Sequence, residues 1–169
     1  MNIINCILNK NYKELKNKLE KNDEDINALT SSGNTFLILA ITEKFEEGAI
    51  LLIERGINVS VLNKNHDSSL SIAAEYNAYN VAKLIIKKDK NLINTPDSYG
   101  NTPLWTAIIY ACKKIDIDYR MIDLLIENGA NINLPNKNNQ TCLYLIKRRE
   151  RLEIIEHIKT KFPNIIHKI

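Results

Sequence analysis

The residue types that carry most enzyme chemistry are few in this 169-residue chain and do not form a recognisable constellation. The histidines are His66, His157 and His167, and no His-Glu-x-x-His pair or closely spaced Cys/His cluster offers zinc its usual ligand spacing. Asp116 and Asp118 are neighbouring carboxylates without an acid or base partner close in sequence. The sequence also lacks a Gly-rich phosphate loop and the Gly-x-Ser-x-Gly elbow of hydrolases. We therefore expect no catalytic residues, no metal, no cofactor and no enzymatic activity.

Basic residues cluster towards the C-terminal end, where residues 137–169 carry 8 Lys or Arg against 3 Asp or Glu. The densest group is Lys147, Arg148, Arg149 and Arg151. Nucleic-acid binding requires a broad basic surface, but three glutamates between residues 150 and 156 interrupt this one. We favour a charged, solvated outer face over a nucleic-acid site.

The three cysteines, Cys6, Cys112 and Cys142, are an odd number without a Cys-x-x-Cys pair, which favours free thiols in a reducing compartment. The N-terminus has no basic leader with a long apolar run, and no segment approaches the length of a membrane span. We expect a cytoplasmic protein, or one in the host cytoplasm if it is a secreted effector, with no membrane partner. At 44% apolar and 25% charged residues, the chain can bury a core.

The elements that must position any site come from an internal repeat. A polar turn followed by an apolar stretch is best formed from Asp97 to Ala107, which reads Asp-Ser-Tyr-Gly-Asn-Thr-Pro-Leu-Trp-Thr-Ala. The leucines that anchor the four copies are 33, 34 and 39 residues apart: Leu37, Leu70, Leu104 and Leu143. A period near 33 residues is typical of helical solenoids.

Each copy of the repeat is predicted to form two helices. In the best-formed copy, Thr102 can cap the first helix and Pro103 fits its first turn. Small residues recur at one position, where two helices could approach closely: Ala40, Ala73 and Ala107. Gly56 and Gly129 follow two of the second helices as left-handed terminators would, whereas Asp89 stands in that place in the middle copy and predicts a different helix end.

Three motifs carry a resemblance to a known family. They are Gly-Asn-Thr-Pro-Leu-x-x-Ala at residues 100–107, Leu-Leu-Ile-Glu-x-Gly at residues 124–129, and Ala-Asn-Ile-Asn at residues 130–133. In these motifs the chain resembles ankyrin repeat proteins. The resemblance implies a single all-α solenoid of about four to five helix-turn-helix units, with short β-turn or hairpin tips and polar terminal units that cap the stack. The expected units are approximately residues 1–29, 30–62, 63–96, 97–135 and 136–169.

One interval departs from the repeat. From the small alanine to the next helix, 12 positions separate Ala40 from Leu52, but 18 separate Ala107 from Leu125. Six residues are therefore inserted between these helices, near Lys113 to Asp118. Insertions in repeat proteins map to loops on one face, and this one is open to two interpretations: a binding loop or a neutral, solvated extension.

The resemblance implies that a partner protein binds the concave face, which is formed by the turn tips and the first helix of each unit. Carried over by position, the expected contact residues are Lys64, Asp67, Tyr76, Tyr99, Asn101, Trp105, Tyr110, Lys137, Arg148 and Arg149. Aromatic and Arg side chains carry most interface energy, so Tyr99 and Tyr110 are the preferred hot spots. Trp105 has a second interpretation, in which it packs between adjacent first helices.

The function we expect is protein binding by a monomer that acts by occlusion, because the repeats leave little of the chain for any other segment. An inhibitor or immunity-type protein that neutralises an enzyme or toxin is the leading hypothesis. The alternative is an effector or adaptor from a pathogen or virus that recruits a host protein.

Overall fold

The computed structural model describes residues 2–22 and 24–165, and within them the fold is all-helical. The α-helices are α1 (Ile3–Leu8), α2 (Tyr12–Lys21), α3 (Phe36–Thr42), α4 (Glu46–Glu54), α5 (Ser69–Glu75), α6 (Tyr79–Lys88), α7 (Pro103–Cys112), α8 (Arg120–Glu127), α9 (Cys142–Arg148) and α10 (Leu152–Lys161). A 3-10 helix, Lys90–Asn94, follows α6. An isolated antiparallel bridge joins Leu29 to Thr35.

A polar turn of one design precedes four of the helices. The side-chain oxygen of its first residue, Thr30, Asn63, Asp97 or Asn136, accepts a hydrogen bond from the backbone N–H four residues later. The fourth residue is left-handed in each copy, with φ of +80° at Gly33, +64° at His66, +82° at Gly100 and +57° at Asn139. These turns are the tips that the repeat pattern predicts.

Each tip leads directly into a capped helix. The hydroxyl oxygens of four residues accept the backbone N–H three positions ahead: Thr35, Ser68, Thr102 and Thr141. Pro103 occupies the first turn of α7, where its missing N–H is not needed. The cap and the proline expected from sequence are confirmed.

Helix ends differ between units as the sequence predicts. Gly56 and Gly129 are left-handed, with φ of +88° and +99°, just beyond α4 and α8. Asp89 is extended instead, with φ of −146°, and its carboxylate accepts the backbone N–H of Asn91 at the start of the 3-10 helix. The middle unit therefore ends in an additional short helix.

The helices pack in two layers around a continuous apolar core. The first helices of the units, α1, α3, α5, α7 and α9, pack side by side, and so do the second helices α2, α4, α6 and α8. Ala40, Ala73 and Ala107 are at most 2% exposed, which confirms the predicted close helix approach. Burial of the apolar faces in neighbouring units stabilises each helix, because the helices are too short to persist alone.

Adjacent tips are joined by hydrogen bonds at two junctions. The backbone N–H of Lys64 donates to the Gly33 carbonyl at 3.0 Å, and that of Lys137 donates to the Tyr99 carbonyl at 3.0 Å. A Cβ on Gly100 would lie 2.8 Å from the Lys137 nitrogen, so this approach requires glycine. His66 holds the equivalent place in the middle tip, and the described residues show no such bond from it to the next tip.

The six-residue insertion is divided between a helix and a loop. Helix α7 has 10 residues, whereas α3, α5 and α9 have 7. The loop of residues 113–119 then leads to α8 and is held at two points. Nη2 of Arg151 donates to the Lys114 carbonyl at 2.7 Å, and the Asp118 carboxylate accepts from Arg120 at 2.7 Å. Ile115 at the loop's tip is 96% exposed.

The last helix, α10, is fastened to α8 by a polar cluster. Nε2 of His157 lies 2.7 Å from Oδ1 of Asp123, and its ring stacks on Tyr119 with centroids 3.9 Å apart. Nζ of Lys161 donates to the other Asp123 oxygen at 2.9 Å. His66 is exposed in its tip, far in sequence from this cluster, and His167 lies outside the described residues.

None of the helices described is long and apolar enough to span a bilayer. In the same residues, no three His, Cys, Asp or Glu side chains come together as a metal site.

Candidate partner-binding surface

Two cavities adjoin each other on the layer of first helices. One, of about 190 Å³, lies between α5 and α7; the other, of about 330 Å³, lies between α7 and α9. We call the two together the first-helix groove. Its first part is lined by Glu75, Asp97, Asn101, Trp105, Thr106, Ile109, Tyr110 and Lys113, and its second by Trp105, Ile109, Gln140, Tyr144, Leu145, Arg148 and Arg149.

Trp105 and Ile109 of α7 form the wall shared by both parts. Trp105 is only 7% exposed, so most of its side chain packs in the core although it lines both cavities. Both interpretations of this residue, packing and contact, are therefore compatible with its position. Its backbone N–H donates to the Thr102 hydroxyl, which fixes the first turn of α7.

Charge changes sign along the first-helix groove. The part between α5 and α7 is lined by two acids, Glu75 and Asp97, against one base, Lys113. The part beyond α7 is lined by Arg148 and Arg149, with no acid in the described part of its lining. Both arginines are exposed, and neither forms an ion pair among the described residues. The arginine end therefore offers guanidinium donors to an incoming carboxylate.

The tips above the groove present Tyr99, which is 71% exposed, between the exposed side chains of Lys64 and Lys137. Asp67 and Asn101 are half-buried because they belong to the turn itself. Asp67 accepts from the Asn63 amide, and Asn101 donates to Asp97. These two polar groups can contribute to binding mainly by holding the tip in shape.

The remaining expected residues are two tyrosines. Tyr110 is half-buried with Nζ of Lys114 4.8 Å above its ring, a cation–π contact that orients the ring at the edge of the groove. Tyr76 is 38% exposed and lines a separate cavity of about 190 Å³ between the ends of the units containing α3 and α5. The structure thus gathers Asn101, Trp105, Tyr110, Arg148 and Arg149 in the first-helix groove, places Tyr76 beyond it, and leaves Lys64, Asp67, Tyr99 and Lys137 on the tips.

Sequence reasoning missed Tyr144, which is 46% exposed and lines the groove beside the arginines. A signal for it exists in the repeat. Tyr144 follows its cap Thr141 by three positions, as Trp105 follows Thr102. Aligning the copies at their caps would have identified it as a further aromatic residue of the groove, beside Trp105 and Tyr110.

The cysteines give this surface no reactive nucleophile. Cys6 and Cys142 are buried, all three cysteines are free, and burial raises the pKa of the Cys142 thiol to about 12. Burial also raises the pKa of the half-buried Cys112, chiefly because the charged thiolate would lose hydration. Thiolate chemistry at neutral pH is therefore disfavoured.

Helix pairs stacked in two layers, with polar tips joined along one edge, define a helical repeat protein. Ankyrin repeat models match residues 3–97 as three copies and residues 99–137 as a further one. The chain belongs to the ankyrin repeat family, whose repeats form a non-catalytic module for protein–protein interaction.

Similar proteins come from a bacterium, a spider and a virus. The phosphocholine transferase AnkX of Legionella pneumophila is 30% identical over 83% of this chain and 14% of its own length. Alpha-latrotoxin-Lg1a of Latrodectus geometricus is 26% identical over 83% of this chain and 10% of its own. A putative ankyrin repeat protein of Acanthamoeba polyphaga mimivirus is 26% identical over 94% of this chain and 21% of its own. The chain thus spans a tenth to a fifth of the length of these relatives.

Proposed function

We propose that the chain binds one partner protein through the first-helix groove and the tips, and acts by occlusion as an inhibitor or immunity-type protein. The observation that carries this proposal is the pair of adjoining cavities that share Trp105 and Ile109. An aromatic wall with arginines at one end and an exposed tyrosine above it has the composition of an interface hot spot.

The groove's charge suggests how the partner is oriented. A partner segment with acidic side chains would lie over α9, where Arg148 and Arg149 are available, and cationic or neutral groups would lie near Glu75. Such complementarity mainly fixes register and speeds association. Occlusion follows if the covered segment belongs to the partner's own active or binding site, since a rigid solenoid excludes other ligands from the area it covers.

The second candidate function is that of a pathogen or viral effector or adaptor that recruits a host protein. Relatives from a pathogen, Legionella pneumophila, and from a virus, Acanthamoeba polyphaga mimivirus, favour it. An effector of this kind would act in the host cytoplasm. It would leave the partner's activity intact and would need a second surface for bridging.

Affinity capture with the immobilised chain tests the proposal. Wild-type protein should retain a partner that the double variant Arg148→Glu, Arg149→Glu releases, while Lys13→Glu, Lys16→Glu on exposed positions of α2 should retain it. Stoichiometric loss of the purified partner's activity indicates an inhibitor, and unchanged activity indicates an adaptor. A partner retained equally by the arginine and lysine variants would show that it does not bind the first-helix groove.

A further inference from the structure

A larger groove lies on the opposite layer, between the second helices α6 and α8. Its volume is about 740 Å³, within the usual range of ligand-binding clefts. It is lined by Tyr79, Lys83, Leu84, Ile86, Lys87, Lys90, Leu124, Glu127 and Asn128. We call it the second-helix groove.

The floor of this groove is apolar and its rim is cationic. Ile86 and Leu124 are 6% and 7% exposed, and Leu84 is half-buried, so the floor can receive an apolar side chain. The rim carries three exposed lysines: Lys83, Lys87 and Lys90. Lys83 and Lys87 are one helical turn apart and lie on the same side of α6.

The cationic charge of the rim is not neutralised within the chain. None of the three lysines forms an ion pair with a carboxylate in the part of the chain described. The lining acid, Glu127, is already held by Nζ of Lys161 at 3.1 Å. The ammonium groups left available therefore favour a negatively charged occupant.

Contacts at both ends fix the width of the groove. At one end, the Arg120 guanidinium lies 5.5 Å above the Tyr79 ring, which links the first turns of α8 and α6. At the other end, the Asn94 amide donates to the Gly129 carbonyl at 3.1 Å, and its oxygen accepts from Asn131 at 2.9 Å. A groove held open in this way costs little conformational freedom when a ligand enters.

The groove also depends on features confined to one unit. Asp89 replaces the usual terminal glycine and starts the 3-10 helix, whose first residue, Lys90, adds the third cation to the rim. A regular glycine end, as after α4, places no such helix there.

We infer that the second-helix groove is a second docking site, whose occupant is an acidic segment of a partner protein with an apolar side chain inserted between α6 and α8. The carboxylates pair with Lys83, Lys87 and Lys90, and the apolar side chain covers Leu84 and Leu124. This site is separate from the first-helix groove, so the chain can hold two proteins at once.

Selection from a display library of random peptides tests the inference without knowledge of the natural partner. Peptides of about 10 residues are long enough to cross the groove, because an extended segment of that length spans about 33 Å, whereas the ten-residue helix α6 is about 15 Å long. Selection on the wild-type protein should enrich a class with net negative charge and at least one large apolar residue. Members of this class should bind Lys83→Glu, Lys87→Glu at least about tenfold more weakly than wild type.

Two control variants separate this site from others. Lys13→Glu, Lys16→Glu makes the same charge change at exposed positions of α2 and should leave the affinity unchanged. Arg148→Glu, Arg149→Glu alters only the first-helix groove, so peptides that it alone weakens belong to the function proposed above. Circular dichroism confirms that each variant folds, as expected for exposed side chains.

The inference is overturned if no peptide class is sensitive to Lys83→Glu, Lys87→Glu, or if the sensitive class is neutral or basic. It is also overturned if these substitutions instead abolish self-association or binding to phosphatidylserine vesicles with no peptide class affected. The groove would then belong to a second copy or to a lipid surface.

Discussion

The side-chain amide of Asn136 donates to the side-chain oxygen of Asn101 at 3.0 Å, joining the tip of one unit to the next. Asn63 and Asn34 make the same bond at 3.1 Å two junctions earlier. At the junction between them, the equivalent residues are Asp97 and Asp67, and a carboxylate has no proton to donate at neutral pH.

Replacing Asp97 with Asn should therefore stabilise the protein. The new amide can donate to the Asp67 carboxylate while its oxygen still accepts the Tyr99 and Asn101 backbone N–H groups, but the bond that the Asn101 side-chain amide donates to the second Asp97 oxygen is lost. Because one hydrogen bond replaces another, the gain comes mainly from removing one of two neighbouring carboxylates, and we expect the free energy of unfolding to rise by about 0.5 kcal/mol. Urea unfolding followed by circular dichroism measures it. The converse change, Asn136→Asp, removes an existing donor and should lower the free energy of unfolding by a similar amount. If both substitutions changed stability in the same direction, the explanation would be contradicted.

His66→Gly should also stabilise the fold. A left-handed conformation costs a residue with a Cβ about 1–2 kcal/mol, and the flexibility that glycine adds to the unfolded chain removes part of the gain. We expect a net increase of about 0.5–1 kcal/mol in the free energy of unfolding, measured by thermal denaturation. The matched control is Gly100→Ala, which introduces strain at φ +82° and a Cβ 2.8 Å from the Lys137 nitrogen, and should cost at least about 1 kcal/mol. If His66→Gly lowers the melting temperature, strain is not the dominant effect at this tip.

Asp118 gives the inserted loop a pH dependence. Hydrogen bonds from the Arg120 guanidinium, with smaller help from its backbone N–H and from Asn77, lower the Asp118 pKa to about 2 from 3.8. A lowered folded-state pKa stabilises the protein above the unfolded pKa, and this stabilisation declines below about pH 4 and disappears as pH falls through about 2. Since a third of the side chain is exposed, we expect under about 1 kcal/mol.

The measurement is the difference in unfolding free energy between wild type and Asp118→Asn. It should be larger at pH 7 than at pH 3. Asp116→Asn, in the same loop and without an ion pair among the described residues, is the control and should show no such change. A difference that grows on acidification would reverse the sign expected from the Asp118–Arg120 pair.

Binding should depend on Tyr99 of the tips and Tyr110 of the first-helix groove. For a partner identified by capture, Tyr99→Ala combined with Tyr110→Ala should weaken binding by at least about 2 kcal/mol, or about thirtyfold in Kd. Isothermal titration calorimetry gives the value. Tyr12→Ala removes a tyrosine that is 44% exposed on α2 and should have no effect. Unchanged affinity in the double variant would remove both residues from the interface.

Local signals in the sequence predicted most of the fold because most of these signals recur in several copies of the repeat. The Thr102 cap, the glycine ends and the unusual end at Asp89 each follow from one residue type at one position. The length of the insertion could be counted from the sequence, but its division between α7 and the following loop could not be predicted. That division depends on contacts such as the hydrogen bond from Arg151 to the Lys114 carbonyl, between residues 37 positions apart.

The grooves were harder to predict than the helices. Five residues of the first-helix groove were expected from their places in the repeat and one, Tyr144, was missed; the second-helix groove depends instead on how far apart α6 and α8 lie. That separation is set by contacts such as Arg120 to Tyr79, and no periodic pattern along the chain encodes it. The salt link of Lys161 to Glu127, which leaves the rim cationic, is likewise invisible before the units are stacked.

Trp105 is the chain's single tryptophan, and its place in the wall shared by two cavities makes it a built-in optical reporter. Indole emission moves to shorter wavelength when surrounding water is displaced, so a guest on either side of α7 registers as a small shift, because only 7% of the residue is exposed. A guest seated between α6 and α8 leaves the emission where it was. For a ligand already known to bind, spectra before and after its addition therefore tell which side of the molecule is occupied.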